Sequence, residues 1–103
     1  MEKTKPSFND LINGDKPVLI DFYTDWCQPC KMMNPILKEV KSSMGDRINV
    51  VKINAETNPD AAIRYQVRGV PTLVLIREGK VIWQQSGVIQ APALTGIIEQ
   101  HLS

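Results

Sequence analysis

Several residue types are scarce in this sequence, and each shortage argues against a class of protein. Among 103 residues there are only two cysteines and one histidine, too few for a secreted disulfide scaffold or for a four-ligand zinc site within the chain. Twelve basic and eleven acidic residues leave a net charge of +1, so there is no electrostatic excess for binding a nucleic-acid backbone or an anionic membrane surface. We therefore expect no nucleic-acid partner and no bound metal.

Long hydrophobic runs are also absent. The longest, Val18-Leu19-Ile20 and Leu73-Val74-Leu75-Ile76, are far shorter than the roughly 20 residues that a membrane-spanning helix needs. The first five residues, Met1 to Lys5, contain no apolar core of the kind found in signal peptides. These features predict a cytoplasmic protein without a membrane span.

The remaining composition is that of an ordinary globular domain. Hydrophobic residues make up 43% of the chain and charged residues 22%. The length of 103 residues suits one domain and excludes a separate cofactor-binding domain. We expect a single domain over residues 1–103, in which residues 1–6 form a short irregular segment.

Strand-like and helix-like patterns alternate along the chain, which indicates an α/β fold. Apolar, β-rich runs predict the strands, and apolar residues at helical spacing, with capping residues and prolines at their starts, predict the helices. The predicted elements are a helix opened by a capping box at residues 7–10 and closed by Gly14, strands at 18–23 and 48–54, helices at 30–44 and 59–65, the second with Asn58 as N-cap, an antiparallel hairpin of 72–77 and 81–86, and a last helix opened by Pro92.

The two cysteines lie two residues apart at the start of the predicted long helix. At about 100° per residue, Cys30 falls on the apolar stripe that continues through Met33 and Leu37, whereas Cys27 lies roughly 60° to its side. The wheel therefore predicts that Cys30 is buried and that Cys27, at the helix tip, is more open to solvent.

This spacing suits thiol–disulfide exchange. One thiolate attacks a disulfide, and a second thiol held nearby resolves the mixed disulfide in an effectively unimolecular step. A helix N-terminus favours the thiolate of Cys27 and should lower its pKa, and Lys31 adds a nearby cation. Pro29 has no N–H to donate, but this costs no hydrogen bond in a first turn whose amides lack partners. Two incidental thiols, or half of a metal site, remain alternatives at this point.

The stretch from Val18 to Lys31, which contains Trp26-Cys27-Gln28-Pro29-Cys30, resembles the thioredoxin family, as do Pro35, Val67-Arg68-Gly69-Val70-Pro71-Thr72-Leu73 and Gly87. The resemblance covers about residues 7 to 103. It implies a thioredoxin fold, with a central mixed sheet of four strands, or five if the amino-terminal segment adds one, and helices on both faces. Two departures are Gln28, where the family usually has glycine, and the amino end, which lacks an apolar run.

The resemblance also implies roles for four chemical groups. Cys27 would be the nucleophile and Cys30 the resolving thiol. Asp21 would be buried behind Cys30, with a pKa raised by desolvation, and would take part in proton transfer. Lys52 would neighbour Asp21 and tune it. The alternative is that Asp21 points to solvent and Lys52 is an ordinary surface charge.

A substrate-binding rim is implied as well. In the family the bond before the second-motif proline, here Val70-Pro71, is cis and packs on the cysteine pair, and the backbone before it pairs with an extended substrate segment. The alternatives are an ordinary trans proline at a strand entry and plain core residues. The residues implied for the rim are Trp26, Gln28, Pro29, Gly69, Val70, Pro71, Gly87 and Val88.

The function implied by the resemblance is reduction of protein disulfides in the cytoplasm. The protein would bind no cofactor, would receive reducing equivalents from NADPH through thioredoxin reductase, and would act as a monomer on disulfide-containing proteins. Two alternatives remain: a disulfide oxidase or isomerase, against which Pro29 stands because oxidising relatives usually carry histidine there, and a binding module that keeps the fold without turnover.

Overall fold

The structure, a computed structural model, describes residues 7–102, so the prediction for residues 1–6 lies outside the described part. Its elements follow the predicted order, with boundaries one or two residues from those predicted. They are α1 (Phe8–Asn13), β1 (Val18–Tyr23), α2 (Gln28–Met44), a 3₁₀ turn (Gly45–Arg47), β2 (Asn49–Asn54), α3 (Pro59–Arg64), β3 (Thr72–Arg77), β4 (Lys80–Ser86) and α4 (Ala91–Leu102).

Within residues 7–102 the four strands form one mixed sheet in the order β2-β1-β3-β4. Strands β1 and β2 are parallel and are connected by the crossover helix α2, whereas β3 is antiparallel to both β1 and β4. Five of the six residues of β1 are buried, as expected for a central strand covered on both faces. The predicted fold class is confirmed.

The sheet separates two apolar clusters, and alternate residues of each strand belong to opposite faces. Leu19 and Leu73 pack with Met33, Val40 and Leu94 on the face covered by α2 and α4. A second cluster covers the other face, where β1 residues Val18, Ile20 and Phe22 pack with Ile12, Tyr65, Val74 and Ile76. Asp21 is two residues after Leu19 on β1, so its side chain lies on the same face of the sheet as Leu19, the face covered by α2.

The predicted helix caps have different outcomes. The capping box of α1 is confirmed: the Asp10 amide donates to Ser7 Oγ at 3.1 Å, and the Ser7 amide donates to Asp10 Oδ2 at 3.3 Å. Asn58 precedes α3 as predicted, but its side chain caps nothing there. Its amide instead donates to the Asn54 carbonyl at 3.0 Å, which closes the turn after β2.

Candidate active site

Cys27 and Cys30 lie at the amino end of α2 and form a disulfide. Cys27 is the N-cap residue, and the Cys30 amide donates to Cys27 Sγ at 3.1 Å. Gln28 and the exposed Pro29 complete the first turn, in which helical amides have no backbone acceptor. The donated N–H and the helix dipole both stabilise negative charge on Cys27 Sγ once the disulfide is reduced.

The expected difference in exposure between the two cysteines is wrong. Cys27 is 4% exposed and Cys30 3%, so both sulfurs are buried in the disulfide form. The reason is a segment distant in sequence: the carbonyl oxygen of Val70 lies 3.7 Å from Cys27 Sγ. A helical wheel contains no information about a loop 43 residues away.

That loop is held by hydrogen bonds at the start of β3. The Val70-Pro71 bond is cis, as predicted. The Thr72 hydroxyl donates to the Gly69 carbonyl at 2.6 Å and lies 2.9 Å from Ser86 Oγ. The Gly87 amide donates to the Pro71 carbonyl at 2.8 Å. The loop is therefore fixed to both strands of the hairpin while its Val70 carbonyl faces Cys27.

The residues expected to form the rim are brought together in part. Trp26 is 69% exposed and lines, with Gly69 and Val70, a cleft of about 350 Å³. Gly87 joins this group through its hydrogen bond to the Pro71 carbonyl. Val88 is half-buried and packs against the apolar cluster under α2 and α4, which places it partly in the core.

Glu56, which was not predicted from the sequence, also lines this cleft. The Trp26 indole nitrogen donates to Glu56 Oε2 at 3.1 Å, and Glu56 and Arg68 both line the Trp26 cleft. A signal for Glu56 was available. Trp26 and Glu56 follow the carboxyl ends of two adjacent parallel strands, β1 and β2, and such ends meet at one edge of a sheet.

Asp21 is fully buried in the centre of the sheet, which excludes the solvent-facing alternative. Among residues 7–102 neither of its carboxyl oxygens has a hydrogen-bond partner. Burial raises the pKa of Asp21 from 3.8 to about 6, and the positive charge of Lys52 opposes that rise. In the parallel register Asp21 lies beside Lys52, and both side chains belong to the α2 face.

Lys52 is exposed, but its ammonium has close neighbours. It donates to the side-chain oxygen of Asn34 on α2 and lies 4.6 Å from the centre of the Tyr23 ring. Asn34 was not singled out from the sequence, although it follows Cys30 by four residues and so lies on the same side of the helix.

A cleft of about 220 Å³ reaches the disulfide from this side. Its lining includes Cys30 together with Asn34 and Lys52. The full lining consists of Tyr23, Thr24, Asp25, Cys30, Lys31, Asn34 and Lys52.

Residues 7–102 contain neither a metal-binding cluster nor a membrane-spanning helix. No cluster of three or more histidine, cysteine, aspartate or glutamate side chains is arranged to hold a metal ion in this part of the chain. Within the same residues, no helix combines the length and apolar character that crossing a membrane requires.

The disulfide lies at the first turn of the helix that follows a central strand, and the cis-proline loop packs against it. This arrangement defines a thiol–disulfide oxidoreductase of the thioredoxin fold. The thioredoxin family model matches residues 1–100. A mutant thioredoxin from Halobacterium salinarum NRC-1 superposes with a TM-score of 0.83 at 34% identity, over 98% of this chain and 88% of that one. The chain belongs to the thioredoxin family.

Curated relatives include bacterial and plastid proteins. Chloroplastic thioredoxin Y2 of Arabidopsis thaliana is 45% identical over 102 residues, which cover 98% of this chain and 61% of that protein. A thioredoxin of Acidithiobacillus ferridurans is 40% identical over 93 residues, covering 90% of this chain and 86% of the relative. The chain thus spans about three fifths of the plant protein's length and most of the bacterial one.

Proposed function

We propose that this chain is a protein disulfide reductase that works by thiol–disulfide exchange. The observation that carries the proposal is the Cys27–Cys30 disulfide at the start of α2, with the Cys30 amide donating to Cys27 Sγ. A sulfur that accepts a helix N-terminal amide is stabilised as a thiolate, the form that attacks disulfides. The same pair supplies both the nucleophile and the group that releases the product.

The reaction passes two electrons to the substrate. The Cys27 thiolate attacks one sulfur of a substrate disulfide, which forms a mixed disulfide and releases one substrate thiolate. The Cys30 thiolate then attacks Cys27 Sγ, forms the internal disulfide and releases the second substrate thiolate. Because Cys30 is three residues away on the same helix turn, this second step is intramolecular.

Asp21 is the proposed acceptor of the Cys30 proton. A carboxyl with a pKa of about 6 is mostly ionised at neutral pH, yet its basicity exceeds that of an ordinary aspartate. Its position on the α2 face directs it toward the side of α2 that buries Cys30. Lys52 tunes this group by opposing the effect of burial.

The rim is the proposed binding surface for the polypeptide around the substrate disulfide. Support comes from the exposed Trp26 ring and from the Val70 carbonyl beside Cys27, which offers an acceptor to an extended chain. Gln28 and Pro29 are exposed beside the sulfurs, so they complete the contact surface. Gly69, Pro71, Gly87 and Val88 shape the loop behind it.

The remaining parts of the proposal concern the source of electrons and the setting. The chain forms a single domain over residues 1–103, acts as a monomer in the cytoplasm, and binds no cofactor of its own. NADPH supplies the electrons through thioredoxin reductase. Family membership and the bacterial relatives support these assignments, whereas the plastid relatives fit the same chemistry in another compartment.

The proposal is tested by coupled turnover. Purified protein is mixed with NADPH, thioredoxin reductase and insulin as the disulfide substrate, and NADPH oxidation is followed at 340 nm. We expect continuous, catalytic oxidation that depends on the chain. Binding of insulin without turnover would instead indicate a binding module, and efficient reshuffling of a scrambled disulfide substrate with no net reduction would indicate an isomerase.

A further inference from the structure

The Lys52 ammonium is held by groups from two other elements. The side-chain oxygen of Asn34 on α2 accepts a hydrogen bond from it, and the Tyr23 ring at the end of β1 lies 4.6 Å away. The β1–β2 register places the same lysine beside the buried Asp21. The position of this charge relative to Asp21 is therefore set by contacts outside β2.

Without these contacts the Lys52 side chain is free to adopt other positions. Lys52 is exposed on β2, which is an edge strand of the sheet over residues 7–102. Its side chain lines three clefts: the one at Cys30, a groove of about 690 Å³ between α2 and β2, and a cleft of about 580 Å³ toward α3. A flexible lysine at such a junction samples all three unless an acceptor fixes it.

Asn34 is well placed to be that acceptor. It lies one helical turn after Cys30 and lines two of the same clefts as Lys52, the one at Cys30 and the groove between α2 and β2. Its own side chain is exposed, so it contributes nothing to the apolar core. The hydrogen bond to Lys52 is therefore not a by-product of packing in the core.

We propose that Asn34 is a positioning residue: its side-chain oxygen keeps the Lys52 ammonium beside Asp21 and thereby sets the pH range in which Asp21 accepts the proton of Cys30. The inference rests on the proposed role of Asp21. Removing the acceptor lets Lys52 move away from Asp21. Its positive charge then opposes the effect of burial on the Asp21 pKa less strongly. The pKa of Asp21 rises further above its ordinary value as a result.

Three other titratable residues line the cleft at Cys30. Tyr23 and Asp25 come from the end of β1 and the loop after it, and Lys31 comes from α2 next to Cys30. On the opposite side Asp21 is paired with the apolar Leu73 of β3. The side-chain oxygen of Asn34 accepts its hydrogen bond from Lys52 and not from one of these groups.

The test compares Asn34→Ala with wild type in two measurements. The titration of the Asp21 carboxyl is followed by ¹³C NMR in the oxidised protein, and the pH profile of insulin reduction is measured with the full chain. We expect both midpoints to move upward by about half a pH unit, which corresponds to about a threefold lower rate below the wild-type midpoint. Ser42→Ala, another polar residue of the same groove, is the matched control and should change neither.

Two further variants separate positioning from general structure. Asn34→Gln keeps an amide oxygen and should restore most of the wild-type profile. In a Lys52→Met background, Asn34→Ala should cause no additional shift of the Asp21 titration, because the group that it positions is gone.

An unchanged Asp21 titration in Asn34→Ala would overturn the inference, as would an equal shift with and without Lys52. Both results leave wild-type insulin reduction intact, so they differ from failure of the proposed function, in which the wild type itself does not turn over.

Discussion

The two sulfurs of the disulfide have different surroundings. Around Cys27 lie an exposed aromatic ring, a backbone carbonyl and a loop fixed by hydrogen bonds. On the Cys30 side lie a fully buried carboxyl and a lysine that opposes the effect of its burial. In the proposed function the first region binds the substrate polypeptide, and the second supplies the base. If the proposed roles hold, substrate recognition and proton transfer take place at sulfurs one turn of α2 apart.

The largest expected effect comes from the sulfurs themselves, because they act at different steps. Cys27→Ser removes the nucleophile and should lower insulin reduction by more than about a thousandfold. Cys30→Ser leaves the first attack intact but not the second, so mixed disulfides with substrate should accumulate on Cys27. Non-reducing electrophoresis followed by mass spectrometry detects them.

Thermal unfolding of both serine variants serves as the control for folding. Stable mixed disulfides on Cys27→Ser, with none on Cys30→Ser, would reverse the two roles. Alkylation gives an independent reading: iodoacetamide at pH 7 should modify Cys27 first in the reduced protein, because its sulfur accepts the Cys30 amide.

Asp21→Asn should produce the next largest effect, on the Cys30 side only. Loss of the base should slow resolution by about tenfold near pH 7, with the first attack by Cys27 little changed. Asp25→Asn is the matched control, since Asp25 is an exposed acid of the same cleft. Stopped-flow measurement of the two steps distinguishes them. Equal slowing of both steps would contradict the assignment of Asp21 to resolution.

The same variant tests the energetic consequence of burial. The pKa of Asp21 is about 6 in the folded protein, whereas 3.8 is the reference value for the unfolded chain. The folded state therefore binds the Asp21 proton more tightly than the unfolded state. The stability that this group contributes is therefore present below pH 3.8 and is lost as the pH rises through 6, a loss of about 3 kcal/mol. Asp21→Asn should gain stability over wild type between pH 4 and pH 8. Urea denaturation of the oxidised protein at both pH values measures the difference, and a constant difference would contradict it.

The Cys30 side was the easier region to predict from sequence. The helical stripe predicted burial of Cys30 and the family resemblance implied burial of Asp21, and both residues are buried. The burial of Cys27 was missed because it depends on Val70, which returns to Cys27 only after the chain has passed through α2, β2 and α3. Asn34 and Glu56 were missed because exposed polar residues add nothing to an apolar pattern; their positions, one helical turn after Cys30 and just after β2, were the signals that could have found them.

On the Cys27 side, Trp26→Ala should weaken binding and leave the chemistry almost unchanged. The ring is 69% exposed, so its removal costs little folding energy, but a polypeptide loses a large apolar contact. We expect KM for insulin to rise about fivefold with kcat within a factor of two. Ile63→Ala, which removes another exposed apolar side chain on α3, is the control and should leave KM unchanged. A fall in kcat with constant KM would place Trp26 in the proton-transfer region instead.

The smallest expected effect belongs to Glu56, which touches the rim only through Trp26. Its Oε2 accepts the indole N–H at 3.1 Å at an exposed position, where one hydrogen bond contributes little. Glu56→Ala frees the ring to change orientation, so KM should rise about twofold while the Asp21 titration stays fixed. In a Trp26→Ala background the same change should have no effect, because the group that Glu56 orients is absent. Steady-state kinetics of the four proteins completes the cycle. If Glu56→Ala still raised KM without the indole, Glu56 would contact the substrate directly, and the rim would include a negative charge that selects against acidic segments.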